Sequence, residues 1–243
     1  MTIVYYFTVA LFVAGTAWRV AGWLRRPVPV SVSLDQHRGE LGWGEEFFLF
    51  ASLWRGDRRL WAGAWLLHVG LALIIVGHVA GIAALGEQFC AVGASSATSR
   101  LWSHGLGVAA GVIFLVALAA LWLRRLMVAE LRRISDFSDH FALALLAAVA
   151  LSGMAMRLPG SGVDLAAVRT YLAGLLTFRP GPLPQGPLFL VHFTLVNVLL
   201  VYFPFSKLLH GIGGVVNRAI LTAAPPIYPT PAGFQPDGRF QRL

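Results

Sequence analysis

Five stretches of the chain are almost purely apolar over the length that a helix needs to cross a bilayer. A hydrocarbon core of roughly 30 Å requires about 20 apolar residues in a helix. The predicted spans are Ile3–Leu24, Trp61–Leu85, Leu101–Leu126, His140–Arg157 and Pro187–His210. The sequence therefore predicts an all-α integral membrane protein with five transmembrane helices. Residues 1–216 would form the membrane domain and residues 217–243 a C-terminal tail.

Basic residues are distributed unevenly between the two sides of this predicted bundle. Of the 19 Lys and Arg residues, one lies within span one, fourteen lie on the side where span one ends, and four lie on the other side. Cytoplasmic loops carry the excess of Lys and Arg in membrane proteins. We therefore predict a multi-pass membrane protein with its N-terminus outside and its C-terminus in the cytoplasm. No basic residue precedes span one, which favours a retained helix over a signal peptide.

The two longest connections have patterns of their own. The inner loop, Pro27–Leu60, contains aromatic residues beside charges at Trp43–Phe48, which is typical of a membrane interface or a docked partner. Packing on the chain's own helices explains that pattern equally well. The outer loop, Leu158–Gly186, predicts a short surface helix. Its apolar residues share one helical face, namely Leu165, Val168, Leu172, Leu175 and Leu176.

Composition excludes several functional classes. Hydrophobic residues make up 57% of the chain and charged residues 12%, with a mean hydropathy of +0.71. Average soluble domains carry roughly a quarter charged residues, so a soluble enzyme is excluded. The net charge of +8 is scattered among apolar runs, which excludes a nucleic-acid module. The single cysteine, Cys90, excludes an intrachain disulfide and any iron–sulfur or zinc site built from this chain's thiolates.

Four of the seven histidines lie in only two spans. His68 and His78 are in span two, and His192 and His210 are in span five. One such histidine is readily explained by a hydrogen bond to nearby backbone, but ionisable residues paired on two spans favour a function. Because the two spans run in opposite directions, we predict His68 and His210 at the inner level and His78 and His192 at the outer level.

The spacings within the two spans do not match. Ten residues separate His68 from His78, about 15 Å of helical rise, whereas eighteen separate His192 from His210, about 27 Å. Helix tilt and the distortion expected at Pro204 would absorb part of this difference.

Facing imidazoles at two depths are typical of two stacked haems. A haem iron with an axial histidine on each face has no open position, so it moves electrons rather than binding oxygen. Zinc would want four clustered ligands, and covalent c-type haem would need a Cys-x-x-Cys-His motif, which the chain lacks. A transporter with a histidine-lined path is the alternative from another class.

Three sequence blocks carry a resemblance to a known family. They are Leu67–Gly70 (LHVG), Val76–His78 (VGH) and Phe203–His210 (FPFSKLLH). On these blocks the chain resembles the cytochrome b, or gamma, subunit of respiratory nitrate reductase, and the four histidine spacings agree with that family. Within it, the chain is most similar to the membrane cytochrome b subunit of the Dsr complex of dissimilatory sulfur metabolism. That similarity is carried by Val201–Lys207, Gly211–Gly214, Gly153–Arg157, Leu176–Pro180 and Leu49–Trp61.

The resemblance implies a multi-pass protein of a bacterial inner membrane, with a periplasmic N-terminus and a cytoplasmic C-terminus. It implies a di-haem helical bundle with five helices, two b haems and quinone exchange with menaquinone or ubiquinone. It also implies a cytoplasmic iron–sulfur partner resembling the catalytic subunit of heterodisulfide reductases, with further membrane and periplasmic redox subunits. The chain would then be an electron-transfer subunit of a Dsr-type complex, with no catalytic residue of its own. A nitrate reductase gamma subunit is the alternative within the family. The loop Gly86–Arg100 departs from the nitrate reductase pattern.

Four further polar residues are candidates for the site. Arg157 and Lys207 sit where spans leave the bilayer, and each would suit a haem propionate, which needs a cation. Lys207 is equally explained by the inner excess of positive charge. Arg100 and His104 open span three on the outer side and would suit a quinone carbonyl. An interfacial, solvated His104 explains that position as well, and Arg100 would also suit a propionate.

Overall fold

The computed structural model describes residues 1–25 and 43–223, and within these it contains helices and turns but no strand. The predicted loop up to Gly42, with His37, and the tail beyond residue 223 lie outside the described residues. In chain order the helices are α1 (Thr2–Leu24), α2 (Trp43–Leu49), α3 (Ala51–Gly56), α4 (Arg58–Ala83), α5 (Ser96–Met127), α6 (Ala129–Arg133), α7 (Phe137–Ala155), α8 (Leu165–Leu176), α9 (Pro187–Tyr202) and α10 (His210–Ala223). The prediction of five long apolar helices is confirmed, in α1, α4, α5, α7 and α9.

Short polar residues set the start of the helices that follow turns. The carboxylate of Asp57 accepts from the backbone N–H groups of Arg59 and Leu60, and so caps α4. Ser95 caps α5 and Asp164 caps α8 in the same way. At α7, Asp136 and Asp139 cap each other's backbone reciprocally, a capping box. These caps satisfy N–H groups that have no intrahelical acceptor, which explains why each helix begins there.

Helices α4 and α5 pack antiparallel with almost no space between their backbones. A Cβ placed on Gly70 would lie 2.9 Å from the backbone nitrogen of Phe114, and one on Gly63 would lie 2.9 Å from the Leu121 side chain. Small residues allow such an approach between membrane helices. The two glycines therefore fix the axis of α4, the helix that carries His68 and His78.

The other long helices continue the up-and-down order of the bundle. Gly111 of α5 packs on Met154 of α7, and Tyr202 at the end of α9 donates to the carbonyl of Ser138 at the start of α7. Helix α1 lies parallel to α9, where the hydroxyl of Thr8 donates to the buried side-chain oxygen of Asn197. We call the end of the bundle with the starts of α4 and α7 the basic end. The other is the opposite end.

The predicted surface helix is confirmed as α8, although its buried face differs slightly from the prediction. Val168, Tyr171 and Leu175 are buried against Phe189 and Phe193 of α9. Leu176, which the apolar pattern placed on that face, is 63% exposed. The Tyr171 hydroxyl is within hydrogen-bond distance of Thr2, at 2.9 Å, so this helix packs across the starts of both α9 and α1.

The predicted continuous span from Pro187 to His210 is wrong at its end. Helix α9 ends at Tyr202, and two short 3₁₀ turns, Phe203–Phe205 and Lys207–Leu209, precede α10. Pro204 cannot donate a backbone hydrogen bond, and its ring obstructs the preceding turn. Ser206 between the turns is extended, with ψ 173°. The break replaces the last turns of a straight helix, so His210 is not carried five regular turns beyond His192.

Two histidine pairs as a candidate cofactor site

His68 and His210 form one pair at the basic end. Their ring centres are 5.8 Å apart, and the ring planes are nearly perpendicular, at 84°. His68 lies in the first half of α4, and His210 is the first residue of α10. The two 3₁₀ turns, the first of which contains Pro204, therefore bring His210 next to α4. The spacing of the histidines along the chain does not by itself predict that position.

His78 and His192 form the second pair, nearer the opposite end. Their ring centres are 6.4 Å apart and their planes differ by 19°. His78 is on α4 and His192 on α9. The two pairs are those that the antiparallel topology predicts, one helix supplying a member of each.

The Nδ1 atoms of all four histidines lie within hydrogen-bond distance of backbone carbonyl oxygens. The acceptors belong to Ala64 for His68, Ile74 for His78, Val149 for His192 and Lys207 for His210, at 2.7, 2.7, 3.0 and 3.0 Å. A carbonyl can only accept, so Nδ1 carries the proton and Nε2 keeps its lone pair. Metal-ligating histidines are held in this way, with the other ring nitrogen donating to a carbonyl or carboxylate.

The spacing of each pair suits one metal ion between two imidazoles. Metal–imidazole bonds of about 2.0–2.1 Å place the centres of two rings on opposite sides of one metal roughly 6 Å apart. The measured 5.8 and 6.4 Å match this distance. Within residues 1–25 and 43–223, no three His, Cys, Asp or Glu side chains gather to hold a bare ion. Two facing imidazoles at this distance fit the two axial positions of one haem iron, so each pair suits one haem.

A strained corner holds an aromatic ring against His68. Phe50, between α2 and α3, has φ +51°, a left-handed conformation that costs a side-chain-bearing residue about 1–3 kcal/mol. Its ring meets the His68 ring edge-on, with centres 5.1 Å apart. Two indoles of α4 hold the corner, because Trp61 donates to the Leu49 carbonyl and Trp65 to the Phe48 carbonyl. The sequence did not predict this contact, because the apolar pattern assigns no structure to the loop that contains Phe50.

A small residue and a hydroxyl support His192. A Cβ on Gly153 of α7 would lie 3.1 Å from the His192 ring, so glycine lets the ring lie against the helix. The Ser152 hydroxyl donates to the Val149 carbonyl that His192 also uses, and its oxygen is 3.0 Å from Nδ1. The only sequence signal for these contacts is the adjacent Ser152 and Gly153 in an apolar span. The sequence does not predict that they contact a histidine on another helix.

Lys207 is engaged with carboxylates at the start of α7. Its ammonium lies 2.8 Å from Asp139 and 3.2 Å from Asp136, and these contacts raise the pKa of Lys207. The hydrogen bond from the Ser138 hydroxyl, then those from the Asp139 N–H and from Lys207, lower the pKa of Asp136 to about 2. Since the Lys207 carbonyl also accepts from His210, this residue ties the His210 turn to α7.

The other predicted polar residues lie at the opposite end. Arg157 donates to the carbonyls of Ser103 and His104 at 3.3 and 3.4 Å, just beyond the end of α7. Arg100 is exposed and pairs with Glu87 at 3.1 Å. His104 is exposed one turn after Arg100 on α5. The structure thus brings Arg157 to the backbone of His104.

Comparison with known proteins agrees with this geometry. The family model described as nitrate reductase gamma subunit matches residues 51–217, which contain all four paired histidines. The chain is 32% identical to the Hdr-like menaquinol oxidoreductase cytochrome b-like subunit of Archaeoglobus fulgidus, covering 88% of this chain and 76% of that protein. The protein of the same name from Archaeoglobus profundus is also 32% identical, over 86% and 74% of the two chains.

A third relative is itself a nitrate reductase gamma chain. The nitrate reductase gamma chain of Bacillus subtilis is 31% identical over 63% of this chain and 72% of its own length. The family match covers more than half of the chain and contains all four paired histidines, helices α4 and α9 and the break between α9 and α10. The chain belongs to the nitrate reductase gamma subunit family.

Proposed function

We propose that this chain is a di-haem b membrane subunit that passes electrons between the quinone pool and a cytoplasmic iron–sulfur subunit of a Dsr-type complex. The observation that carries the proposal is the presence of two histidine pairs at 5.8 and 6.4 Å, with every Nδ1 held by a carbonyl. The basic end is proposed to face the cytoplasm, by the excess of Lys and Arg there.

The residues of the chain prepare each site for electron transfer. When bound, each haem supplies a one-electron couple whose potential follows from its axial ligands and surroundings. His68, His78, His192 and His210 fix the ligand orientation through their carbonyl contacts. Phe50 covers one side of His68. Arg157 is proposed to face a propionate of the outer haem, and Lys207 remains a prediction for the inner one.

The experiment that tests the function is purification of the intact complex from membranes. We expect two b haems per chain in the reduced-minus-oxidised spectrum. A co-purifying iron–sulfur subunit of the heterodisulfide reductase type, with further membrane and periplasmic redox subunits, would support the Dsr assignment. Co-purification of a nitrate-reducing catalytic subunit would instead make this chain a nitrate reductase gamma subunit. A haem-free chain that moves protons or metal ions would establish the transporter alternative.

We propose that the quinone is reduced or oxidised at the opposite end, beside the His78–His192 pair. The names of the Archaeoglobus relatives, menaquinol oxidoreductase subunits, support menaquinol as the substrate class. A quinone needs an apolar slot with a hydrogen-bond donor at its carbonyl. His104 and Arg100 are exposed donors one turn apart on α5.

Substituting His104 and Arg100 separately tests this site. With His104→Ala or Arg100→Gln we expect haem reduction by a menaquinol analogue to slow at least tenfold, because a donor to the quinone is lost. Both variants should retain two haems. Glu87→Gln is the matched control, since it removes only the partner of Arg100. Unchanged reduction in both variants would move the search to the basic end, near Lys207 and the Trp43–Phe48 segment.

The iron–sulfur subunit is proposed to dock at the basic end, close to the His68–His210 pair. Trp61 meets Trp54 edge-on and stacks on Trp65 there, and the Arg58 guanidinium lies over the Trp54 ring at 4.9 Å. Phe48 on α2 is 66% exposed. Arginine and aromatic residues are enriched in protein interfaces, and this surface lies directly over the inner histidine pair.

Phe50 offers a separate prediction for the inner site. We expect Phe50→Ala to lower the midpoint potential of the inner haem, because added water near His68 favours the charged ferric form. Phe178→Ala is a matched control: Phe178 also has positive φ, at +57°, but it stacks on Tyr6 at the opposite end. A redox titration measures both variants. An inner potential that is the same in Phe50→Ala and wild type would refute a positioning role.

A further inference from the structure

Three arginines gather at the opposite end of the bundle, and two of them lack an acidic partner. Arg100 pairs with Glu87 and its side chain is 63% exposed. Arg157 and Arg169 are half-buried. Across the described part of the chain, neither of these two guanidinium groups has a carboxylate within 4 Å. Half-buried charges without a counter-charge are costly and indicate an anionic ligand.

Each of the two guanidinium groups occupies space that the missing side chain of a glycine leaves free. A Cβ on Gly107 of α5 would lie 2.5 Å from the Arg157 guanidinium carbon. A Cβ on Gly86, just after α4, would lie 2.3 Å from an Arg169 nitrogen, and Gly86 has φ +90°, which favours glycine in its own right. Arg169 belongs to α8, so the surface helix places a charged side chain on the end of α4.

The two charges are close enough to act on each other. Burial lowers the pKa of Arg157, and the neighbouring charge of Arg169 lowers it further. Burial lowers the pKa of Arg169 as well, with a smaller effect from Arg100. Two like charges held together in a half-buried place suit a ligand with two negative charges, since such a ligand neutralises both.

The arginines stand at the edge of the His78–His192 pair. Gly153, whose Cβ would touch the His192 ring, lies near the end of α7, and Arg157 follows four residues later, just beyond that end. Gly86, which the Arg169 side chain covers, lies just after the end of α4, the helix that carries His78. Arg157 therefore follows the helix that contacts His192, and Arg169 contacts the segment that follows the helix of His78, so both lie beyond the pair toward the opposite end of the bundle.

We propose that Arg169 and Arg157 together bind the two propionate carboxylates of the outer haem, and that α8 is therefore part of the cofactor site. This inference rests on the proposed function. Guanidinium groups bind carboxylates through paired, charge-assisted hydrogen bonds. Of these two arginines, the sequence pattern indicated only Arg157 as a propionate partner. Arg169 lies in a surface helix whose apolar face dominates its pattern, so its role is visible only once α8 lies across α4.

The test is a redox titration of the purified complex carrying Arg169→Gln or Arg157→Gln. Loss of a nearby positive charge favours the ferric form, so we expect the outer haem to shift to a lower potential in both variants. The inner haem should keep its potential. Arg169→Lys should restore part of the shift. Arg179→Gln, at an exposed arginine in the same loop, is the matched control and should change nothing.

The outcomes separate this proposal from the proposed function. Selective loss of the outer haem in Arg169→Gln, with the control intact, also supports the site. Two haems with unchanged potentials in Arg169→Gln and Arg157→Gln would overturn it. So would unchanged potentials accompanied by loss of a co-purified anionic phospholipid, which would assign the arginines to a lipid phosphate. If Arg169→Gln does not assemble, Arg157→Gln decides by the same criteria. A wild-type chain without two haems would refute the proposed function itself.

Discussion

Replacing His192 with alanine is expected to remove one of the two haems, the outer one, and to leave the inner one in place. His192 pairs only with His78, at 6.4 Å, while His68 and His210 form their own pair. A six-coordinate haem that loses one axial histidine keeps only one protein ligand, so its binding is weakened and any haem that is retained loses its low-spin spectrum. Haem content per chain and a redox titration of the variant measure the effect.

A second histidine variant controls for the loss of any imidazole. His140→Ala removes a histidine of α7 that accepts from the Trp122 indole and pairs with no other histidine in the described residues. It should retain both haems. His68→Ala should give the complementary result, loss of the inner haem. If His192→Ala removes the haem that His68→Ala also removes, the proposed pairing is wrong.

Replacing Gly70 with leucine is expected to have the largest effect on the fold. A Cβ at this position meets the Phe114 backbone at 2.9 Å, and backbone cannot move aside as a flexible side chain can. Overpacking costs about 1–3 kcal/mol, which for a chain of this size corresponds to a fall in Tm of roughly 2–12 °C. We also expect the inner haem to be lost, because His68 is two residues away on α4.

Thermal unfolding of the detergent-purified protein measures this prediction. Gly22→Leu on α1 is the control, since a Cβ there has no atom within 4 Å. It should unfold close to the wild-type temperature. A Gly70→Leu variant with unchanged Tm and both haems would show that the close approach of α4 and α5 is not required.

Much of the fold was readable from local pattern because membrane spans are set by local quantities. An apolar run of about 20 residues satisfies its own backbone hydrogen bonds and has nowhere stable to go except the bilayer. The predicted start of span one at Ile3 lies within a residue of the observed Thr2, and its end at Leu24 is the observed end. The Asp136 cap, however, starts α7 three residues before the predicted His140.

The candidate site was readable only in part. The four histidines stood out because polar residues are rare in apolar spans, and the opposite directions of two helices predicted which of them face each other. The eight-residue mismatch in their spacings stayed unresolved. Pro204 indicated a distortion, but a proline does not specify the direction in which the chain continues. The two 3₁₀ turns that bring His210 to His68 depend on contacts with other helices, including Gly15 of α1 against Pro204.

Sequence pattern was enough to predict the five apolar helices, the family and the paired histidines, because each depends on residues close together in the chain or on their spacing. Tertiary structure alone decided which distant groups surround those histidines. Phe50 contacts His68 because its backbone turns in a left-handed conformation, and Arg169 of α8 contacts Gly86, just after α4. Such contacts depend on how whole helices pack, and packing is a property of all the side chains at an interface rather than of any local pattern.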